Sequence, residues 1–196
     1  EAIGDDVPAN YPVALQGKTI AGYAVAIENV ATGRQTLNTE LLTTLTETAA
    51  GMTNGTQTTD VLLTGLGDVA FKTTYEKWVG EHASASENLS AWYIPTLSQL
   101  SAFMGTLFTM KDVPATGSED FKNIPEFEFV NGKMFDRETI ATVNYASSTI
   151  NNQGNVSGVR INVADGVVTN AQEAGISVKT ALNQQALCRP MITIFK

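Results

Sequence analysis

The segment at residues 92–108, WYIPTLSQLSAFMGTLF, constrains this chain more than any other. Thr96 is followed three residues later by Gln99. That is the pattern of a capping box, in which each side chain accepts from the other residue's backbone N–H. Leu97, Leu100, Met104, Leu107 and Phe108 then recur at helical spacing. The pattern predicts a helix over residues 97–108.

A second helix is expected upstream, in GDVAFKTTYEKWVGEH. Phe71, Tyr75, Trp78 and Val79 fall on one face of it, and Asp68 stands where an N-cap is needed. Before it, Thr36 to Thr64 is Thr-rich with Gly and Asn punctuation, and only Thr39 to Ala50 has a weak helical pattern. Lys18 to Val30 is apolar and β-prone, with Gly22 as a candidate bulge. Residues 1–17 read as an irregular arm or linker, broken by Asp5-Asp6, Pro8 and Pro12. After the helices, Asn131-Gly132 and Asp165-Gly166 sit between β-prone runs as hairpin turns, and RPMITIFK closes the chain as a strand. This order predicts an α+β fold in one domain, residues 18–196. It also predicts that the two helices are segregated from the short antiparallel sheet.

Composition excludes several functions. The 196 residues carry a net charge of −8 and no Lys/Arg cluster, so no nucleic-acid partner is expected. The single cysteine, Cys188, forbids an internal disulfide. No apolar run reaches membrane-spanning length. The chain begins at Glu1 without Met, as a matured or trimmed chain that has lost an export signal would.

The stretch NYASSTINNQGN is the main candidate for a binding face. Asn and Gln both donate and accept, and Tyr adds rigid amphipathic area. Asn144, Tyr145, Asn151, Asn152, Gln153 and Asn155 form one such set. Asn170, Gln172, Asn183 and Gln184 join it if the second hairpin folds alongside. The plainer reading is a turn-prone polar loop, and the residues alone leave both open.

Catalysis has less support. Ser147, Ser148 and Thr149 have no base-and-orienter pattern beside them, and the one histidine is His82. One His and one Cys do not make the usual zinc site. The dense carboxylates are Asp5-Asp6, Glu119-Asp120 and Glu126 with Glu128, and no metal or cofactor is expected. Trp78, Trp92 and Tyr93 read as core, Cys188 as a small buried residue, and Arg189 as an internal partner of a carboxylate or of carbonyls. The three sequons, at Asn54, Asn88 and Asn155, read as chance matches in an Asn/Thr/Ser-rich chain.

Three segments, taken in order, resemble a family. AWYIPTLSQL is similar to the WYLPS…EL signature of the bacterial C-type-lectin-like domains of the Lcl C-terminal type, named for a collagen-like adhesin. NYASST with GVRINVADGVV resembles that family's YWSST segment and following hairpin, and CRPMITIF its closing VRPVRAF strand. Ala146 replaces the family's Trp after Tyr, and Ile150 its acidic residue after SST.

The resemblance implies a C-type-lectin-like fold with two helices flanking short antiparallel sheets, paired N- and C-terminal strands and a loop-rich half that displays a binding surface. It implies a non-catalytic adhesin or receptor-binding domain on the surface of a Gram-negative bacterium, whose partner is a host or bacterial surface protein or glycan. Variable proteins of diversity-generating retroelements share the broad fold. The calcium-binding Glu-Pro-Asn and Trp-Asn-Asp motifs of sugar-binding lectins are absent. The alternative is a structural subunit or cap of a fimbria-like appendage. Formylglycine-generating enzymes also share the broad fold, but they use a cysteine pair that a lone Cys188 cannot supply.

Overall fold

The structure is a computed structural model that describes residues 3–7, 13–31, 35–36, 55–66, 69–109, 142–151, 154–162, 177–179 and 185–196. Strand β1 (Ile20–Val25) pairs antiparallel with the closing strand β7 (Met191–Phe195). The register slips by one between Ile20 and Gly22, so Ala21 is the extra residue of a bulge, where Gly22 had suggested one. Thr19 and Lys196 extend the ladder by exchanging both backbone bonds.

Two irregular segments widen this terminal sheet. On the β1 side, Ile20 donates to the Asp5 carbonyl at 2.9 Å and receives Gly4 at 2.8 Å, while Val7 donates to Lys18 at 2.9 Å. Val7 and Leu15 are buried against Ile20 and Phe195. The described part of the expected arm is therefore folded onto β1, because its apolar side chains complete that small core. On the β7 side, residues 89–93 run alongside, with bridges Leu89–Ile194 and Tyr93–Met191.

The second sheet is built from β3 (Thr142–Ile150), β4 (Val156–Asn162) and β5 (Ser177–Lys179), each antiparallel to the next. The short pair β2 (Gln35–Thr36) and β6 (Gln185–Ala186) joins it through a parallel bridge between Tyr145 and Leu187. The architecture is thus α+β, with short, mainly antiparallel sheets and paired terminal strands. The turns expected at Asn131-Gly132 and Asp165-Gly166, and the weak helix at Thr39 to Ala50, lie outside the described residues. So do the side chains of Met104, Leu107 and Phe108.

Three α-helices occur among the described residues, where two were expected: α1 (Gly55–Leu66), α2 (Ala70–Glu81) and α3 (Leu97–Thr109). α1 is the unexpected one. Its sequence, GTQTTDVLLTGL, is rich in Thr and Gly, which disfavour helix. Tertiary packing overrides that preference. Leu62 and Leu66 enter the main core with Phe71, Tyr75, Ile94, Ala146, Val156, Ala186 and Cys188. Burying each leucine contributes roughly 1.5–3 kcal/mol.

α2 buries Phe71, Tyr75 and Trp78, the expected stripe, and Val79 packs at its edge. Its N-cap is Val69, in extended backbone, with no side-chain cap. Asp68, the expected cap, lies outside the described residues. α3 has the expected box: the Thr96 amide donates to Gln99 Oε1 at 3.0 Å, and the Gln99 amide to Thr96 Oγ1 at 3.2 Å.

Candidate functional site

The candidate binding stretch is mostly strand. Asn144 to Ile150 form the body of β3. Between Ala146 and Ile150 the register with β4 slips by two, since Ala146 faces Gly158 and Ile150 faces Val156. This bulge lets consecutive serines point inward, and Ser147 and Ser148 are 0% and 1% exposed.

Their hydroxyls are structural. Ser147 Oγ donates to the Ser157 carbonyl at 2.8 Å and receives the Thr149 amide at 3.2 Å. Ser148 Oγ shares a hydrogen bond with Thr58 Oγ1 of α1 at 2.5 Å. Thr149 Oγ1 accepts the Leu97 amide at 2.9 Å, satisfying a free donor in the first turn of α3. The Ser148 amide donates to the Pro95 carbonyl at 2.9 Å. Ser148 and Thr149 thus tie β3 to two helices and to the WYIPT segment, and Ser147 ties it to β4.

Tyr145 does not belong to an exposed face. It is 0% exposed, a core residue of β3. Asn144 is half-buried in β3, and its carbonyl accepts the Leu187 amide at 2.8 Å. Asn151 and Asn155 close the turn after β3. The Asn155 amide donates to Asn151 Oδ1 at 3.0 Å, and the Asn151 amide to the Asn155 carbonyl at 2.9 Å. Gly154 supplies the left-handed residue this turn needs, with φ of 77°. These two asparagines therefore serve the turn as well as any partner. Asn152, Gln153, Asn170, Gln172, Asn183 and Gln184 lie outside the described residues.

Arg189 is 1% exposed. Its Nε donates to Asn29 Oδ1 at 2.9 Å, and an end nitrogen to the Ala26 carbonyl at 3.1 Å. Both acceptors are carbonyl-type oxygens, as the sequence suggested, and Glu28 is the nearby carboxylate. Burial pulls the guanidinium below its ordinary value, while Tyr145 opposes that. Cys188 is buried and free, and burial pushes its thiol up. Trp78 and Tyr93 are core, while Trp92 is half-buried and meets Trp78 edge-on at 5.4 Å. His82 stacks on Trp78 at 4.2 Å, and its Nδ1 donates to the Trp78 carbonyl at 2.8 Å.

Sequence reasoning missed Thr58 and Thr59. Thr59 Oγ1 receives the Ile94 amide at 2.8 Å and lies 2.6 Å from the Gly55 carbonyl, which its proton reaches. No local signal marks these residues, because each bonds to a segment more than thirty positions away. A half-open, mainly apolar cleft of about 250 Å³ lies between Ala14, Leu15, Thr56, Leu89 and Ala91, and none of the candidate residues lines it. Among the described residues, no group of three or more His, Cys, Asp or Glu is gathered for a metal ion. No described helix is long and apolar enough to cross a membrane.

Comparison with family models, with curated proteins and with solved structures finds no match.

Proposed function

We propose that this chain is a non-catalytic ligand-binding module of the C-type-lectin-like kind, acting at a bacterial cell surface as an adhesin or receptor-binding domain. One observation carries the reading. The three segments that resemble the family lie far apart in sequence, yet they bond to one another. Tyr93 of WYIPT exchanges both backbone bonds with Met191 of the closing strand, at 2.9 and 2.8 Å. Ser148 of NYASST donates to Pro95 of WYIPT. Ala146 of NYASST donates to Leu187, beside the closing strand, at 2.9 Å. A shared scaffold would need these segments to meet in this way.

On this reading the SST hydroxyls and Tyr145 support the face and do not touch the ligand. Contact falls to Asn144, to the residues joining β3 and β4, and to Asn170, Gln172, Asn183 and Gln184. The partner is a surface protein or glycan, read by their paired amide donors and acceptors.

The test is a glycan array together with immobilised host-surface proteins, probed with the wild type, Asn144→Ala and the double variant Asn152→Ala/Gln153→Ala. Saturable binding to one ligand class is expected, weakened about tenfold by a substitution on the face with no change in thermal melting. Absence of binding to either panel, or binding that all these variants leave intact, would sink the proposal.

A further inference from the structure

We infer that the outer edge of β1 is a strand-docking site whose partner is a second copy of this chain, and that two copies exchange residues 3–7 across it. Within one chain this segment already fills the site. Gly4 donates to the Ile20 carbonyl at 2.8 Å, Ile20 to the Asp5 carbonyl at 2.9 Å, and Val7 to the Lys18 carbonyl at 2.9 Å. Asp6 faces Thr19 across an antiparallel bridge. Val7 enters the small cluster of Leu15, Ile20 and Phe195.

The hold is slight. Residues 3–6 are exposed, and Val7 alone is buried. Exposed backbone bonds with a single apolar anchor belong to the least stable part of a fold. The opposite edge differs, because Tyr93, which bridges to Met191 there, is 1% exposed. When residues 3–7 leave, Lys18 and Ile20 present unpaired backbone groups beside an open socket for a valine. The same segment from another copy fits both, so exchange keeps every bond. The sequence that follows it, PANYP, carries two prolines. Proline disfavours compact backbone in the residue before it, which lowers the cost of opening.

Exposed apolar surface favours the exchanged form. Of the three large apolar side chains exposed among the described residues, two lie in this N-terminal stretch, Ile3 at 66% and Val13 at 88%. The apolar cleft lined by Ala14, Leu15, Leu89 and Ala91 opens next to Val13 in the chain. Reciprocal exchange brings two such surfaces together and covers apolar area that a single chain leaves in water.

Light scattering on the full chain over a range of concentrations tests this, with wild type beside the double variant Asp6→Cys/Thr19→Cys. Facing residues of an antiparallel bridge stand at a spacing that a disulfide spans. Cys188 is buried and does not compete. Oxidised while dilute, the variant has its segment fastened to its own β1. Wild type is expected to rise toward twice the mass of one chain as concentration increases. The oxidised variant is expected to stay at the mass of one chain, and reduction to restore the rise. A wild type that stays monomeric throughout overturns the inference. So does an oxidised variant that associates as wild type does, because the contact then does not use this segment. Mixing Asp6→Cys chains with Thr19→Cys chains at high concentration gives a second readout. A disulfide joining the two kinds of chain is expected, and its absence would show that residues 3–7 stay on their own chain.

Discussion

Thr58 Oγ1 and Ser148 Oγ lie 2.5 Å apart in the interior, although ninety positions separate them in the chain. Each is at most 4% exposed. Thr58→Val keeps the shape of the side chain and removes the bond that Ser148 makes with it. The expected cost is about 1–3 kcal/mol in urea unfolding. The double variant Thr58→Val/Ser148→Ala should cost less than the two single changes added, by roughly 1 kcal/mol. Strict additivity would mean that the two hydroxyls are not coupled.

Gly55 opens α1 with its Cα against the Tyr93 ring. A Cβ there would overlap two carbons of that ring. Gly55→Ala should therefore destabilise by about 1–3 kcal/mol, despite alanine's better helix propensity. Gly80 of α2 is the control, because a Cβ there meets open space. Gly80→Ala should stabilise by up to about 1 kcal/mol. Thermal melts of the two variants should move in opposite directions.

Burial pushes the thiol of Cys188 and the phenol of Tyr75 well above their ordinary values of 9.0 and 10.0. The folded chain keeps both protons where the unfolded chain begins to lose them. The stability these groups contribute is full below pH 9 and falls as pH rises beyond it. Cys188→Ala should flatten part of that alkaline slope. A thiol reagent at pH 8 should label Cys188 only in denaturant, and rapid labelling of the native protein would contradict its burial.

Asp60, exposed on α1, is raised above its ordinary 3.8 by the partial desolvation of its carboxyl. The fold thus favours its neutral form, so its contribution is present below 3.8 and is lost as pH rises through the folded value. Asp60→Asn should melt at a higher temperature than wild type at pH 7, and the difference should shrink at pH 3. Equal shifts at both values would show that its charge is not what matters.

Some elements were legible because their causes are local. The Thr96–Gln99 box formed as expected, since each partner lies within one helical turn of the other. The α2 stripe held for the same reason. The bulge near Gly22 and the closing strand at Met191–Phe195 were visible in β-prone runs with a single weak residue. α1 was hidden because its own preferences oppose a helix, and its leucines are held by a core drawn from remote segments.

The candidate site divides along the same line. The sequence marked NYASST as unusual but did not distinguish a surface from a scaffold. Ser147 and Ser148 face inward because a bulge places them there, and their partners come from α1, β4 and the WYIPT segment.

The α+β order, the helix starting at Leu97, the strands at the two ends and the lone buried thiol are readable from the chain alone. These follow from spacing, capping and turn chemistry, which act over a few residues. That Tyr145 is interior, that Arg189 reaches Ala26 and Asn29, and that three separated segments bond to one another emerges only on folding. Those outcomes depend on contacts between residues as much as 163 positions apart, so neither partner has a local pattern that names the other.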